Sequence, residues 1–465
     1  MWFDSSVWYE FYSLGVTGSP EENSWDWSVW NGAAKPVNRI GNLLVWIEHL
    51  KKLGVSAVYF TPVFQSDRHG YDTRDYYTID SRLGSNEDFA HLCCVLHENN
   101  IRVVLDGVFN HTGRGFWAFR DVQKNKRDSQ YCDWFFIDWS RNSDRNDGFW
   151  YEGWEGCYDL VKLNLTNPTV VDHLFAAVEK WIRLFHIDGL RLDVAYSLPE
   201  SFLRSLSDFC NDKYRSITAS DHDFVLAGEI IHGDYQKLLG AGLQSCTNYE
   251  VYKGLYSSFN DKNLFEISYS LNRQFGVNGD GAGLYKGKRL ISFADNHDVS
   301  RLSSILKDKS EMYQLYALLF ASPGVPCLYY GSEWGIEGRK EDGDKALRPA
   351  LAGPSWDSLS SWISQLSYLY RTEKALNSGS YENVCTLNEQ LVFKRVFVQG
   401  NESREEIVFC INISSTDSTI HVKKDGYGAF HGIFGSYMNL YNGSTVLYNG
   451  SIKIPSKTCL LLKKQ

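Results

Sequence analysis

Apolar and polar positions along the chain alternate between a β-like and a helical spacing. Val7 to Tyr12 is a short apolar and aromatic run, followed by a Gly/Pro/Asn-rich loop through Trp25, Trp27 and Trp30 and then by helical spacing from about Asn38 to Leu53. Val55 to Phe60 is a second β-rich run, ended by Pro62 and a polar loop, after which Asn86 is expected to cap a helix reaching Asn99. Ile101 to Leu105 is a third run. From about Thr112 to Leu163 the alternation gives way to a Gly, Asp, Arg and Trp-rich stretch. It is too long for a structureless loop inside a compact domain and reads as an inserted small domain.

Regularity then resumes. The spacing predicts a helix over 168–185, a strand over 187–193, a helix near 199–211, further strands near 224–226, 243–249, 290–294 and 326–330, and a helix over 311–321. About eight strands alternating with helices predict an α/β fold of the TIM (β/α)8 barrel type. A doubly wound open sheet fits less well, because no Gly-rich phosphate turn follows the first strand. From about Ser378 helical spacing vanishes, and β-rich runs at 391–398, 406–413 and 452–462 between Asn/Gly/Ser turns predict an all-β sandwich. The expected division is 1–111 and 164–377 for the two parts of the barrel, 112–163 for the inserted domain, and 378–465 for the C-terminal domain.

The 465 residues carry a net charge of −9 with both signs interspersed, which excludes an electrostatic nucleic-acid or anionic-membrane surface. No run approaches a membrane span, and the start lacks a basic then apolar leader pattern, so a soluble cytoplasmic protein is expected. Ten cysteines without CxxC pairs fit a reducing compartment, with Cys94, Cys246, Cys327 and Cys410 in apolar runs as buried thiols. The 15 Trp and 28 Tyr exceed what a core needs and suit a sugar-stacking cleft.

In such a barrel the chemistry sits at the C-terminal strand ends. That rule selects Asp106 and His111 after the third strand, Arg191 and Asp193 at the fourth, Glu229 after the fifth, and His297 with Asp298 after the seventh. Arg191 and Asp193, two apart, share a strand face, an arrangement that serves a structural ion pair or an ionised nucleophile equally. The apolar approach Phe224 to Gly228 would desolvate Glu229 and keep it protonated, as a general acid requires. A metal cluster and a glycosidase would both converge carboxylates in this way.

Four segments decide between them. DGVFNH, GLRLDVA, GEI and FADNHD, in this order at successive strand ends, resemble the four signature regions of the α-amylase family of glycoside hydrolases. The resemblance implies a retaining hydrolase of α-glucosidic bonds, with Asp193 as nucleophile, Glu229 as general acid/base and Asp298 as transition-state stabiliser. It further implies that Arg191, His111 and His297 bind sugar, that Asp106 braces them, and that Tyr71 in HGYDTRDYY stacks on the ring.

Leu160-Val161-Lys162-Leu163-Asn164 is similar to the fifth motif of the neopullulanase, cyclomaltodextrinase and maltogenic amylase subgroup, as are TPVFQSDRHGYDTRDYY and WIRLFHIDGLRLDVA. The substrates implied are maltodextrins, cyclodextrins or related oligosaccharides, through α-1,4 and also α-1,6 bonds. A glucosyl transferase or isomerase on the same scaffold is one alternative, and a non-catalytic carbohydrate-binding barrel another. The subgroup's N-terminal dimerisation domain has no counterpart before the first strand, leaving monomer and homodimer open, and Ile231 stands where many members place Trp. No cofactor is required by this reading. Asn110 occupies the place of a family calcium ligand, whereas Lys162 stands where an acidic residue often lies and opposes a cation there. Loops bearing Trp117, Trp150 and Trp154 would shape the cleft. In the C-terminal domain, Tyr427, Phe430 and Phe434 are candidates for starch binding, against a simpler role of covering the barrel.

Overall fold

Eight parallel strands form the centre of the computed structural model, which describes residues 2–24, 35–219, 222–233, 235–277, 283–400, 403–421 and 433–465. We number them β1 (Trp8–Phe11), β2 (Ala57–Phe60), β3 (Arg102–Gly107), β4 (Gly189–Leu192), β5 (Val225–Gly228), β6 (Ser245–Cys246), β7 (Ile291–Phe293) and β8 (Val325–Tyr329). Their order is β6-β5-β4-β3-β2-β1-β8-β7. A parallel bridge between Thr247 and Ile291 joins the outer pair, with the Asn248 N–H donating to the Ile291 carbonyl at 2.8 Å, so the barrel closes.

The period of two along each strand explains what fills it. Trp8, Ala57, Tyr59, Val104, Val225, Ala227, Ile291, Phe293, Val325 and Cys327 pack together as the barrel interior. Their neighbours Tyr9, Val58, Phe60, Val103, Leu105 and Leu226 belong to the larger core against the surrounding helices. Strands buried on both faces read as continuous apolar runs. This is why their boundaries were legible and their inward faces were not.

Helix Asn86–Glu98 is capped by Ser85, which forms a capping box with Asp88. The Asn86 side chain instead accepts from the Ile79 N–H at 2.8 Å. Asn167 caps Pro168–Phe185, where Pro168 occupies the first turn and needs no donor. The helix expected near 199–211 runs further, over Glu200–Thr218. Cys246, Cys327 and Cys410 are buried and Cys94 is exposed, because it falls on the outer face of its helix; none of the ten cysteines is in a disulfide.

After β3 the chain forms a small antiparallel sheet of His111–Gly113, Gly153–Trp154 and Cys157–Lys162, with helix Trp117–Asn125 beside it. Beyond the barrel, six antiparallel strands form one sheet, and Ser418–Ile420 pairs with Ile452–Ile454 as a separate ribbon. The run 452–462 is thus two strands in different sheets. One face of the large sheet, including Leu391, Phe393, Ile407 and Phe409, joins the barrel's core, and Val392, Val408 and Cys410 on the other pack with Ile420, Ile452 and Ile454 of the ribbon. Phe434 is 56% exposed. Tyr427 and Phe430, like Trp25, Trp27 and Trp30, lie outside the described residues. Among the described residues no helix is long and apolar enough to cross a membrane.

Candidate active site

The strand period that points Val104 and Val225 into the barrel also points Asp106 and Arg191 inward one level nearer the C-terminal mouth, beside Ala227, and Glu229 one level further. Arg191 lies beside Asp106 in the β3–β4 register. Its Nη1 donates to both oxygens of Asp106 and to Oδ1 of Asp193, each at 3.0 Å, and its Nη2 lies 3.0 Å from Oε1 of Glu229. All four side chains are buried.

One cation therefore faces three carboxylates. Burial pushes the carboxyls of Asp106 and Glu229 up and that of Asp193 well above its ordinary range, each against the pull of Arg191. An ionised Asp193 assured by its own arginine is thus not what the geometry provides, because Arg191 is shared three ways. Both oxygens of Glu229 face donors, Arg191 on one side and the Val194 N–H at 3.0 Å on the other. Asp193 Oδ2 lies 3.8 Å from His111 Nε2.

The second cluster stands on β7 and its neighbours. His297 is buried between the rings of Tyr71, stacked at 5.7 Å, and Tyr12, at 5.9 Å. Its Nε2 meets the Tyr71 hydroxyl at 2.6 Å and Asp298 Oδ2 at 3.1 Å, and Tyr71 in turn donates to Asp106 Oδ2 at 3.1 Å. Asp298 opens to the cleft, its side chain 37% exposed. Burial opposes its charge, but His297 and Arg348 hold it well below the ordinary carboxylate range. His111 is different: burial, with His69 nearby, pushes it down to about 3, so its ring is neutral at neutral pH. Its Nε2 is buried without a hydrogen-bond partner, and the ring of Trp154, whose own Nε1 is also unpartnered, lies 5.8 Å away.

The structure thus brings together all of Tyr71, Asp106, His111, Arg191, Asp193, Glu229, His297 and Asp298. It adds residues that sequence reasoning missed. Tyr59 on β2 donates to Asp106 at 2.7 Å, Glu10 on β1 meets His297 Nδ1 at 2.5 Å, and Arg348 donates to Asp298 Oδ1 at 3.0 Å. Glu10 had a signal, a carboxylate inside an apolar strand; Tyr59 passed as core, and Arg348 lies in a loop without periodicity.

The residues do not fit a calcium ion at the place expected for one. Lys162 Nζ is paired with Glu152 at 2.5 Å, the Asn110 amide turns to His111 at 3.2 Å, and no group of three or more His, Cys, Asp or Glu among the described residues is placed to hold a metal.

Comparison with known proteins agrees with this architecture. The model of the family described as "Alpha amylase, catalytic domain" matches residues 45–359. The chain is 31% identical over 350 residues to the "Intracellular maltogenic amylase" of Bacillus subtilis, covering 73% of this chain and 57% of that protein. It is 32% identical over 357 residues to a "Cyclomaltodextrinase" of a Bacillus species, covering 74% and 61%. The chain therefore spans about three fifths of the length of these relatives. A solved structure named "Cyclomaltodextrinase" superposes with a TM-score of 0.81 at 26% identity, covering 100% of this chain and 78% of that one.

Proposed function

The chain belongs to the α-amylase family of glycoside hydrolases, and from that premise we propose that it is a retaining hydrolase of α-glucosidic bonds in maltodextrins and cyclodextrins. The observation that carries this reading is the single guanidinium of Arg191 holding Asp193 and Glu229 side by side, each at 3.0 Å. Retaining glycosidases need two carboxyls about 5 Å apart, one to attack and one to donate a proton.

In this mechanism Asp193 Oδ2, the oxygen not engaged by Arg191, attacks the anomeric carbon while Glu229 protonates the leaving oxygen. Burial raises both carboxyls of the Asp193–Glu229 pair and so favours a shared proton there. Glu229 receives it by giving up its contact with Arg191 or with the Val194 amide, and then takes a proton from the water that releases the glucosyl-enzyme. Asp298, ionised beside His297 and Arg348, stabilises the oxocarbenium-like centre. Neutral His111 and the hydroxyl of Tyr71 bind sugar hydroxyls, and Tyr71 also offers its ring face.

Maltodextrins and cyclodextrins enter through the relatives' names, as does a cytoplasmic location, which ten cysteines without a disulfide support. The test is proton NMR of the first products from maltoheptaose, β-cyclodextrin and pullulan. Shorter maltooligosaccharides released as the α-anomer are expected. Release of the β-anomer would overturn the retaining assignment, and new α-1,6 or α-1,1 linkages in place of hydrolysis would favour a transferase.

A further inference from the structure

Three of the four residues of β1 are aromatic, and the fourth is Glu10. Trp8 packs in the barrel interior, so the period of two turns Glu10 inward as well, one level nearer the mouth. It is buried, 4% exposed. A carboxylate placed there against the apolar pattern is costly unless it has a partner. Its partner is His297, at the end of β7, two strands away around the barrel.

We propose that Glu10 is a positioning residue of this active site: by accepting the Nδ1–H of His297 it fixes that ring as a two-proton donor whose Nε2–H is given to the sugar-facing Tyr71 hydroxyl beside Asp298. The geometry carries this. Nδ1 lies 2.5 Å from Glu10 Oε1, and Nε2 lies 3.1 Å from Asp298 Oδ2. Nδ1 thus faces a carboxylate oxygen, and Nε2 faces the Tyr71 hydroxyl, which gives its own proton to Asp106 and so accepts here, with Asp298 beside it; both nitrogens therefore carry protons. The rings of Tyr71 and Tyr12 lie 5.7 and 5.9 Å from the imidazole, and its two nitrogens are each tied to a partner. The inference rests on the hydrolase reading above, in which His297 faces the substrate.

Glu10 also terminates a continuous hydrogen-bonded chain. It runs from Glu10 through His297 to the Tyr71 hydroxyl, on to Asp106, and from there to Arg191, which holds Asp193 and Glu229. Such chains strengthen their members mutually. A change of charge at β1 is therefore felt at the reacting pair.

Every charged or titratable group around His297 enters the balance. Glu10 faces it from β1, with the Tyr12 ring from the same segment; Tyr71 comes from the loop after β2, and Asp298 is its chain neighbour. Asp106 on β3 and Glu229 after β5 both feel its charge, Arg191 on β4 acts on Asp298, and Arg348 donates from Nε to the His297 carbonyl at 3.1 Å. Burial opposes the imidazolium, but Asp298 and Glu10 hold it up to about 10.

The test compares Glu10→Gln, which keeps the shape and a hydrogen-bond acceptor but removes the charge, with wild type. NMR titration of the His297 ring, assigned by its absence in His297→Gln, should show a wild-type ring protonated to about pH 10 and a variant ring titrating at least ~2 units lower. On maltotriose, kcat of the variant should fall about tenfold near pH 9, with KM changing less, and the deficit should shrink toward neutral pH, where the variant His297 recovers its proton. Glu10→Ala should lose more and also lower Tm. An unchanged His297 titration in a folded Glu10→Gln protein overturns the proposal. So does a loss that is uniform across pH and follows Tm, since that marks a structural role alone. Failure of wild type to hydrolyse any maltodextrin would instead sink the hydrolase reading, while the ring titration would still decide the role of Glu10.

Discussion

Val194 presents its backbone N–H to Glu229 Oε2 at 3.0 Å from a left-handed conformation, φ 40 and ψ 48. A β-branched residue rarely adopts that region, so the turn directly after Asp193 stores strain that aims the amide at Glu229. Glycine would relieve about 1–2 kcal/mol of it. Val194→Gly should therefore cost about 1–2 kcal/mol less stability than Val225→Gly, its equally buried counterpart on β5. Denaturant unfolding of the two variants measures this, and equal losses would refute the strain.

Arg191 spans three carboxylates with two nitrogens, a task that a planar fork performs and a single ammonium does not. Arg191→Lys keeps the charge, so the fold should survive with a loss within about 2 kcal/mol, while kcat falls about a hundredfold or more. The check is kcat on maltotriose beside the unfolding free energy. A variant that unfolds but turns over normally when folded would contradict the shared-guanidinium account.

These side chains mark what the sequence could disclose. Asp106, Arg191, Glu229 and His297 were legible because each follows an apolar run, and a strand end in a barrel of this kind is a position with a known direction. Their pairing was not. Sequence spacing pairs Arg191 with Asp193, its neighbour two residues away, yet it is equally the partner of Asp106 on β3 and Glu229 after β5, contacts that only barrel closure creates. Tyr59 and Arg348 stayed hidden for the same reason. Local hydrogen bonds could also mislead: Asn86 and Ser85 are both good capping residues, and the choice of Ser85 depends on Asp88 reaching back to it.

His111 gives the protein an acid-sensitive component. Burial lowers its folded-state value to about 3, against about 6.5 unfolded, so the unfolded chain binds the extra proton. The stability that this buried neutral ring contributes is present above about pH 6.5 and is lost as pH falls toward about 3. Between these limits wild type should lose stability relative to His111→Asn by up to about 1.4 kcal/mol per pH unit. Unfolding free energies of both proteins from pH 7 downward measure the difference, and parallel curves would remove His111 from the account.

Lys162 weighs against calcium. Its backbone pairs with His111 in the small sheet, which fixes an ammonium one strand away from Asn110. That ammonium is bonded to Glu152 and lies over the ring of Phe136 at 5.7 Å, so the nearby acid is already neutralised and an added divalent cation would meet a positive charge. A calcium ion bound only by the native state would stabilise it by about 2.7 kcal/mol at a concentration a hundredfold above Kd. Stripping such an ion would lower Tm by several degrees. We expect excess EDTA to move Tm by less than about 1 °C and to leave maltotriose hydrolysis unaltered, and readdition of calcium to do nothing. A fall in Tm on chelation that calcium alone reverses would show that oxygen ligands assemble a site despite Lys162.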